Sequence, residues 1–197
     1  GGQKIDKHYG DWLHIWNELT QKPGQQSNYA NLVGNVPKLV QPSTSTKPSL
    51  EIYVPLQFYF CRNPGLALPL IALQYHEVKV ILDHRLETFM GTSADGVTNR
   101  LFCDYIYLDT DERRRFAQVS HEYLIEQIQR QTETLAGTND FSLNFNHPVK
   151  ELVWTYPASA TFDGVQLKLN GHDRFAEQNE PYFTPVSYTH LRAHETS

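Results

Sequence analysis

Alternation of apolar and polar residues is the main periodic signal along the chain. In EIYVPLQFYFCRN (51–63), Val54, Leu56, Phe58 and Phe60 share one face, and Tyr53, Pro55, Gln57 and Tyr59 share the other. That is the period of a β-strand. Pro55 cannot donate to a ladder, so this strand is expected at an edge or bulged there. EVKVILD (77–83), FCDYIYLD (102–109), FSLNFNH (141–147), VKELVWTY (149–156) and VQLKLNG (165–171) read as further short strands. HEYLIEQIQRQTETL (121–135) fits strand or helix, and its strand neighbours favour strand.

Two segments carry helical spacing instead. In DWLHIWNEL (11–19), Trp12, Ile15, Trp16 and Leu19 follow the i, i+3, i+4, i+7 pattern of one helix face. Asp11 is the expected N-cap and Pro23-Gly24 the expected stop. TDERRRFAQ (110–118) is expected as a short helix capped by Thr110, with Asp111 and Glu112 where the helix dipole favours acid. QPSTSTKPS (41–49) is expected as an exposed loop. Many short strands between Pro and Gly turns predict a mostly β architecture, a sandwich, barrel or jelly roll, with short helices near 11–20 and 110–117.

RNPGLALPLIALQYHEV (62–78) departs from both periods. It has no charge from Pro64 to Tyr75, yet holds two prolines and a glycine. Asn63-Pro64-Gly65 marks a turn, and Pro69 suits the first position of a short helical turn.

Composition narrows the function classes. The chain has 197 residues, 12% of them aromatic, which suits half-buried sheet faces. The formal net charge of −5 disfavours nonspecific nucleic-acid binding. No apolar run approaches the ~20 residues of a membrane-spanning helix. Cys61 and Cys103 are the only cysteines, which fits a reducing compartment better than a disulfide scaffold. The only methionine is Met90, so Gly1 is not expected to be a translational start.

Candidate chemistry is sparse. His8, His14, His76, His84, His121, His147 and His172 are scattered, with no HxH or HxD pair of the kind that jelly-roll metalloenzymes place on a strand. His172 and Asp173 are adjacent, so on a strand they point to opposite faces. Arg113-Arg114-Arg115 could touch phosphate, but Asp111 and Glu112 nearly cancel the charge. Asp109, Asp111 and Glu112 lack the glycine and later glutamate of a calcium loop. No GxSxG, GxxxxGK[ST] or GxGxxG is present, and no N-x-[ST] sequon. No catalytic, cofactor-binding or metal-binding residue is therefore expected. Trp12, Trp16 and Trp154 are expected in the core rather than on a stacking platform, as are Val54, Leu56, Phe58, Phe60, Ile106 and Leu108.

Five long blocks, in order, carry a resemblance. They are GGQKIDKHYGDW, YVPLQFYFCRNPGLALPLIALQYHEVKV, DYIYLDTDERRRFAQVSHEYLIEQIQ, LNFNHPVKELVW and LKLNGHDRFAEQNEPYF. Together they resemble the major capsid proteins of nucleocytoplasmic large DNA viruses, above all those of algal viruses. The resemblance implies a double jelly roll, with residues 1–118 forming the end of the first and 119–185 the start of the second. It implies a central fragment cut at both ends. It implies a structural, non-enzymatic virion protein without cofactors, forming homotrimeric capsomers that meet neighbouring capsomers in an icosahedral shell. Minor capsid proteins and an internal membrane would be indirect partners, with no direct nucleic-acid contact and assembly in the host cytoplasm. The 62–78 stretch would then link two core strands. After KELVW, only TYPASATFDG separates Trp154 from Val165, where family members often carry a longer insertion.

Two other readings stay open. A jelly-roll carbohydrate-binding module would expose a row of aromatics over a groove, and a cupin-like jelly-roll enzyme would converge several histidines on one cavity. Val186–Thr196 matches, codon for codon, the translation of a transposase-type sequencing adapter. Residues 186–197 are therefore expected to be non-native, and His190, Arg192 and His194 to carry no function.

Overall fold

The computed structural model describes residues 2–42, 47–84, 98–134, 140–156, 164–179 and 181–183. The chain divides into two compact units, one of Gly1–Ile5 with Tyr59–Glu126, the other of Asp6–Phe58 with Gln127–Ser197. No helix among the described residues is long and apolar enough to cross a membrane.

The second unit holds α1 (Gly10–Thr20), the longest helix among the described residues. It starts after Tyr9 rather than at the expected cap Asp11, which lies in its first turn, where a carboxylate suits the helix dipole. It ends at Thr20, before Pro23-Gly24, with Gln21 in extended backbone. Two helices follow that the apolar pattern does not announce, α2 (Gln26–Val33) and α3 (Pro37–Val40). Gly34 closes α2 with φ 78°, and its N–H reaches the carbonyls of Ala30 and Asn31. The Tyr53 N–H then donates to Leu32 O at 2.8 Å, tying the 50–58 segment to the end of α2. Gln41, Pro42 and residues 47–50 are exposed, as expected of a loop.

The same unit carries the chain's described sheet, β1 (Lys168–Leu169) paired antiparallel with β2 (His172–Asp173). Asn170 and Gly171 form its turn at φ 52° and 78°. Two successive positive φ values make the type I′ turn that an Asn-Gly dipeptide favours. The hairpin continues through Arg174 N–H to Leu167 O and a bridge between Val165 and Gln178. The Lys168↔Asp173 and Val165↔Gln178 pairings differ by two in index sum, so two extra residues bulge on the returning arm. Nearby, Phe183 meets Trp154 edge-on at 4.9 Å and lies 6.1 Å from Phe175.

The first unit is built from short elements. Residues 59–62, expected at the end of a strand, instead form a helical turn, α4 (Tyr59–Arg62). A 3-10 turn, Pro64–Leu66, follows it, capped by the Asn63 side chain accepting from Gly65 N–H. Pro69 opens a further turn, closed by the Leu73 N–H on its carbonyl at 3.1 Å. These turns are what the Pro-Gly pattern requires. The helix expected near 110–117 is present as α5 (Thr110–Gln118), with Asp109 rather than Thr110 as its N-cap. The ion pair of Arg62 with Glu126, 2.9 Å, joins the two ends of this unit's main stretch.

The other segments expected as strands run without ladder pairing among the described residues. The expected core positions follow suit. Val54 is 49% and Ile106 60% exposed, and Leu56, Phe58, Phe60 and Leu108 are half-buried. Trp154 is also exposed at 46%, while Trp12 and Trp16 are half-buried. The physical reason is geometric: one face of an alternating segment is covered only when a second layer packs about 10 Å above it. Among the described residues no such layer stands over these positions. The sequence tail 186–197 lies outside the described residues, as does Met90.

Candidate functional site

The densest polar arrangement sits at the start of the second unit. Asp6 and His8 are two residues apart, the spacing that sets alternate side chains of an extended chain on one side. His8 Nε2 lies 2.9 Å from Asp6 Oδ2, and the two side chains are 7% and 5% exposed. The Ile128 N–H donates to Asp6 Oδ1 at 3.1 Å, and the Lys7 N–H at 2.8 Å. The Phe58 ring lies over His8 at 4.4 Å. Burial pushes the Asp6 carboxyl up, but hydrogen bonds from His8 and Ile128, the charge of His8 and the Lys7 N–H outweigh it. The net result holds Asp6 below its ordinary value. Beside this pair, the Arg130 guanidinium covers the Tyr9 ring at 4.7 Å and reaches Asp11 at 3.6 Å.

This arrangement is a clamp between chain segments distant in sequence; His8 Nε2 and both Asp6 oxygens are engaged in it, while His8 Nδ1 is buried without a hydrogen-bond partner. It holds a carboxylate and an imidazole, and the partners seen for them among the described residues are backbone N–H groups and the Phe58 ring. An Asp-x-His spacing is the sequence signal for it, the reverse order of the His-x-carboxylate pair.

The other described histidines lie on separate elements. His14 lies on α1, His76 follows the Pro69 turn, and His84 faces Asn99 at 3.4 Å. His121 stacks on Phe116 at 4.7 Å, His147 takes φ 70°, and His172 is on exposed β2 beside Asp173. Among the described residues, no three His, Cys, Asp or Glu side chains are placed to hold a metal ion. Cys61 and Cys103 are exposed thiols. Arg114 pairs with Asp111 at 3.5 Å, both well exposed, so the arginine run lies on a solvated helix surface. Trp12 and Trp16 face each other at 5.7 Å rather than forming a row with Trp154. The cleft between α1 and α2 was not read from the sequence, whose signals for α2 are a short apolar stripe and Gly34; burial there pushes the Tyr29 phenol up.

Comparison with known proteins adds what this geometry does not. The family described as major capsid protein N-terminus matches residues 1–109, and that of the large eukaryotic DNA virus major capsid protein matches residues 112–162. A major capsid protein of Pyramimonas orientalis virus is 53% identical over 96% of this chain and 51% of its own length. That of Phaeocystis pouchetii virus is 45% identical over 83% of this chain and 39% of its own. Capsid protein 1 of Acanthamoeba polyphaga mimivirus is 48% identical over 78% of this chain and 30% of its own. The chain thus spans about half the length, or less, of these relatives. No solved structure matches it. A family match over more than half of the chain, joined by a relative more than half identical along nearly all of it, places this chain among the major capsid proteins of large eukaryotic DNA viruses.

Proposed function

We propose that the chain is part of a structural virion protein, a subunit of the capsid shell of a large DNA virus. The observation that carries this is the 53% identity to an algal-virus major capsid protein along 96% of the chain. In this reading residues 1–118 complete a first jelly roll and 119–185 open a second. Three copies form a capsomer, and capsomers tile an icosahedral shell. Closed cyclic packing protects sheet edges and covers apolar side chains such as Phe102 and Tyr107, which are 73% and 92% exposed in the single chain. Partners are further copies of the protein, with minor capsid proteins and an internal membrane as indirect neighbours and no direct nucleic-acid contact. The protein resides in the virion and assembles in the host cytoplasm. The role is architectural and asks for no catalytic, cofactor-binding or metal-binding residue.

Purified virions test this directly. Peptides from this chain should be among the most abundant in their mass spectrum, and the protein released from them should have the mass of a trimer by light scattering. Absence of the peptides from virions would overturn the reading, and a released monomer would overturn the trimer.

A further inference from the structure

One exposed turn sets a reactive pair of neighbours side by side. Asn170 and Gly171 form the tip of the β1–β2 hairpin, at φ 52° and 78°. Both are exposed. The Asn170 carboxamide and the Gly171 N–H have no hydrogen-bond partner among the described residues. A Cβ built on Gly171 would meet nothing within 4 Å, so open space surrounds this residue. No other asparagine of the chain precedes a glycine.

A free backbone N–H next to an asparagine carboxamide is a nucleophile beside an electrophile. The Gly171 nitrogen loses its proton to solvent base and bonds to Asn170 Cγ, closing a five-membered imide. The Cγ–Nδ2 bond breaks, and Nδ2 takes up a proton from water and leaves as ammonia. One water then opens the imide. Attack at Cγ gives aspartate; attack at the main-chain carbonyl of Asn170 gives isoaspartate, in which the chain runs through Cγ. Glycine favours closure because no Cβ crowds its nitrogen. The folded turn holds the reaction back. Type I′ torsions set the Gly171 nitrogen on the far side of the Cα–C bond from the Asn170 Cβ, whereas closure needs the two side by side. Attack therefore waits for the turn to open. β1 and β2 are two residues each, all four exposed, and an isolated two-stranded hairpin is marginally stable in water. Opening here costs little.

We propose that Asn170 is a site of spontaneous covalent modification: it loses ammonia through a cyclic imide shared with Gly171 and becomes isoaspartate, with aspartate as the lesser product. Either product carries one more negative charge than the parent. Isoaspartate also puts an extra methylene into the backbone of a two-residue turn, which takes β1 and β2 out of the Leu169↔His172 register. The change is one-way, and it is independent of the capsid reading, which assigns no modification to the chain.

Incubation of the purified chain at pH 8 for several weeks, with tryptic peptide mapping by mass spectrometry, tests it. Cleavage after Lys168 and Arg174 isolates Leu169–Arg174, whose sequence LNGHDR holds one asparagine. This peptide should gain one mass unit with time and split into two species, the larger of them labelled by a protein-isoaspartate methyltransferase. Peptides holding described asparagines other than Asn170 should change at least tenfold more slowly. Gly171→Ala, which crowds the attacking nitrogen, should slow the gain at least tenfold. The variant and the parent are compared in urea as well as in buffer, so the comparison stands if alanine at φ 78° prevents folding. Urea should speed the parent several-fold by opening the hairpin. No mass gain in Leu169–Arg174, a product that is aspartate alone, a rate unchanged by Gly171→Ala, or a parent no faster in urea than in buffer would each overturn the proposal.

Discussion

Asp6 and His8 stand 2.9 Å apart as a carboxylate–imidazole pair whose side chains are 5% and 7% exposed. The pair fixes the start of the second unit to the backbone of Ile128, 122 residues away in sequence. Because the carboxyl of Asp6 is held below its ordinary value, the unfolded chain binds its proton more readily than the folded one. The sign follows: the stabilisation is fully present above the unfolded value of about 3.9 and is lost as pH falls through the lower folded value. Asp6→Asn should cost about 1–3 kcal/mol at pH 7, the cost of disrupting a buried charged hydrogen bond. The gap between the parent and Asp6→Asn should narrow below about pH 4. Urea midpoints at pH 7, 5 and 3 check this, and a gap that stays constant would show that the charge is not what stabilises.

Gly34 and Gly171 share a φ of 78°, yet they sit in different surroundings. A Cβ on Gly34 would lie 2.9 Å from Ile52 Cγ2 and 3.2 Å from Leu39 Cδ1, whereas one on Gly171 meets nothing within 4 Å. Alanine at either position takes on the left-handed cost of ~1–2 kcal/mol. Only at Gly34 must Ile52 also move, so Gly34→Ala should be the more destabilising of the two. Thermal melts of both variants give the comparison; equal losses would mean that Ile52 yields without cost.

What could be read from sequence is what neighbours in the chain decide. The Asn170-Gly171 turn, the Pro64 and Pro69 turns and the helices at α1 and α5 depend on local torsions and capping, and all are present. The sequence points to Thr110 as the cap of α5, one residue late, because Asp109 and Thr110 are both good caps, and the reciprocal bond of Glu112 selects Asp109. α2 is hard to read because its apolar stripe is only Tyr29, Leu32 and Val33 and its N-cap is Gln25 rather than Ser, Thr, Asp or Asn; Gly34 at its C-terminus is the clearer signal. Burial was the least legible. Asn17 is the buried residue of α1, while Trp12 and Trp16 are half-buried, and the apolar spacing of the helix does not tell the two apart. The Asp6–His8 pair was readable as a spacing, but its partner Ile128 was not.

The reciprocal cap makes a separable prediction at α5. Asp109 Oδ1 accepts from the Glu112 N–H at 2.9 Å, and Glu112 Oε2 accepts from the Asp109 N–H at 3.3 Å. Asp109→Ala should cost ~1 kcal/mol, a typical capping loss. Glu112→Ala should cost less, since its bond is the longer one. The double variant should lose less than the sum, because both bonds report one local geometry. Urea titration of the four proteins closes the cycle, and strict additivity would mean that the two bonds act independently.

The final prediction rests on two glutamines that take the place of a neighbouring strand. Gln129 Nε2 donates to Asn146 O, and the Asn146 N–H donates back to Gln129 Oε1, both at 3.0 Å. Two residues on, Gln131 Nε2 donates to Ser142 O at 2.6 Å, and the Asn144 N–H donates to Gln131 Oε1 at 3.0 Å. A carboxamide has the donor and acceptor of a peptide group, so these side chains do for 142–146 what a ladder would. The pairs 129/146 and 131/144 share one index sum, which is antiparallel register. Gln131 Nε2 also donates to Glu133 Oε1 at 2.6 Å. Gln131→Met removes the bonds and should cost ~0.5–1.5 kcal/mol. Gln131→Glu retains the acceptor for Asn144 but turns a carboxylate toward both Ser142 O and Glu133. It should therefore destabilise more than Gln131→Met at pH 7 and recover as pH falls toward about 4.3, because Glu133 and the Ser142 carbonyl raise the folded carboxyl above that ordinary value, and once protonated it can donate again. Amide exchange at Asn144, followed across that range in both variants, reads the effect at the bond itself. If Gln131→Glu were no worse than Gln131→Met at pH 7, the 2.6 Å contact with Glu133 would have no energetic weight.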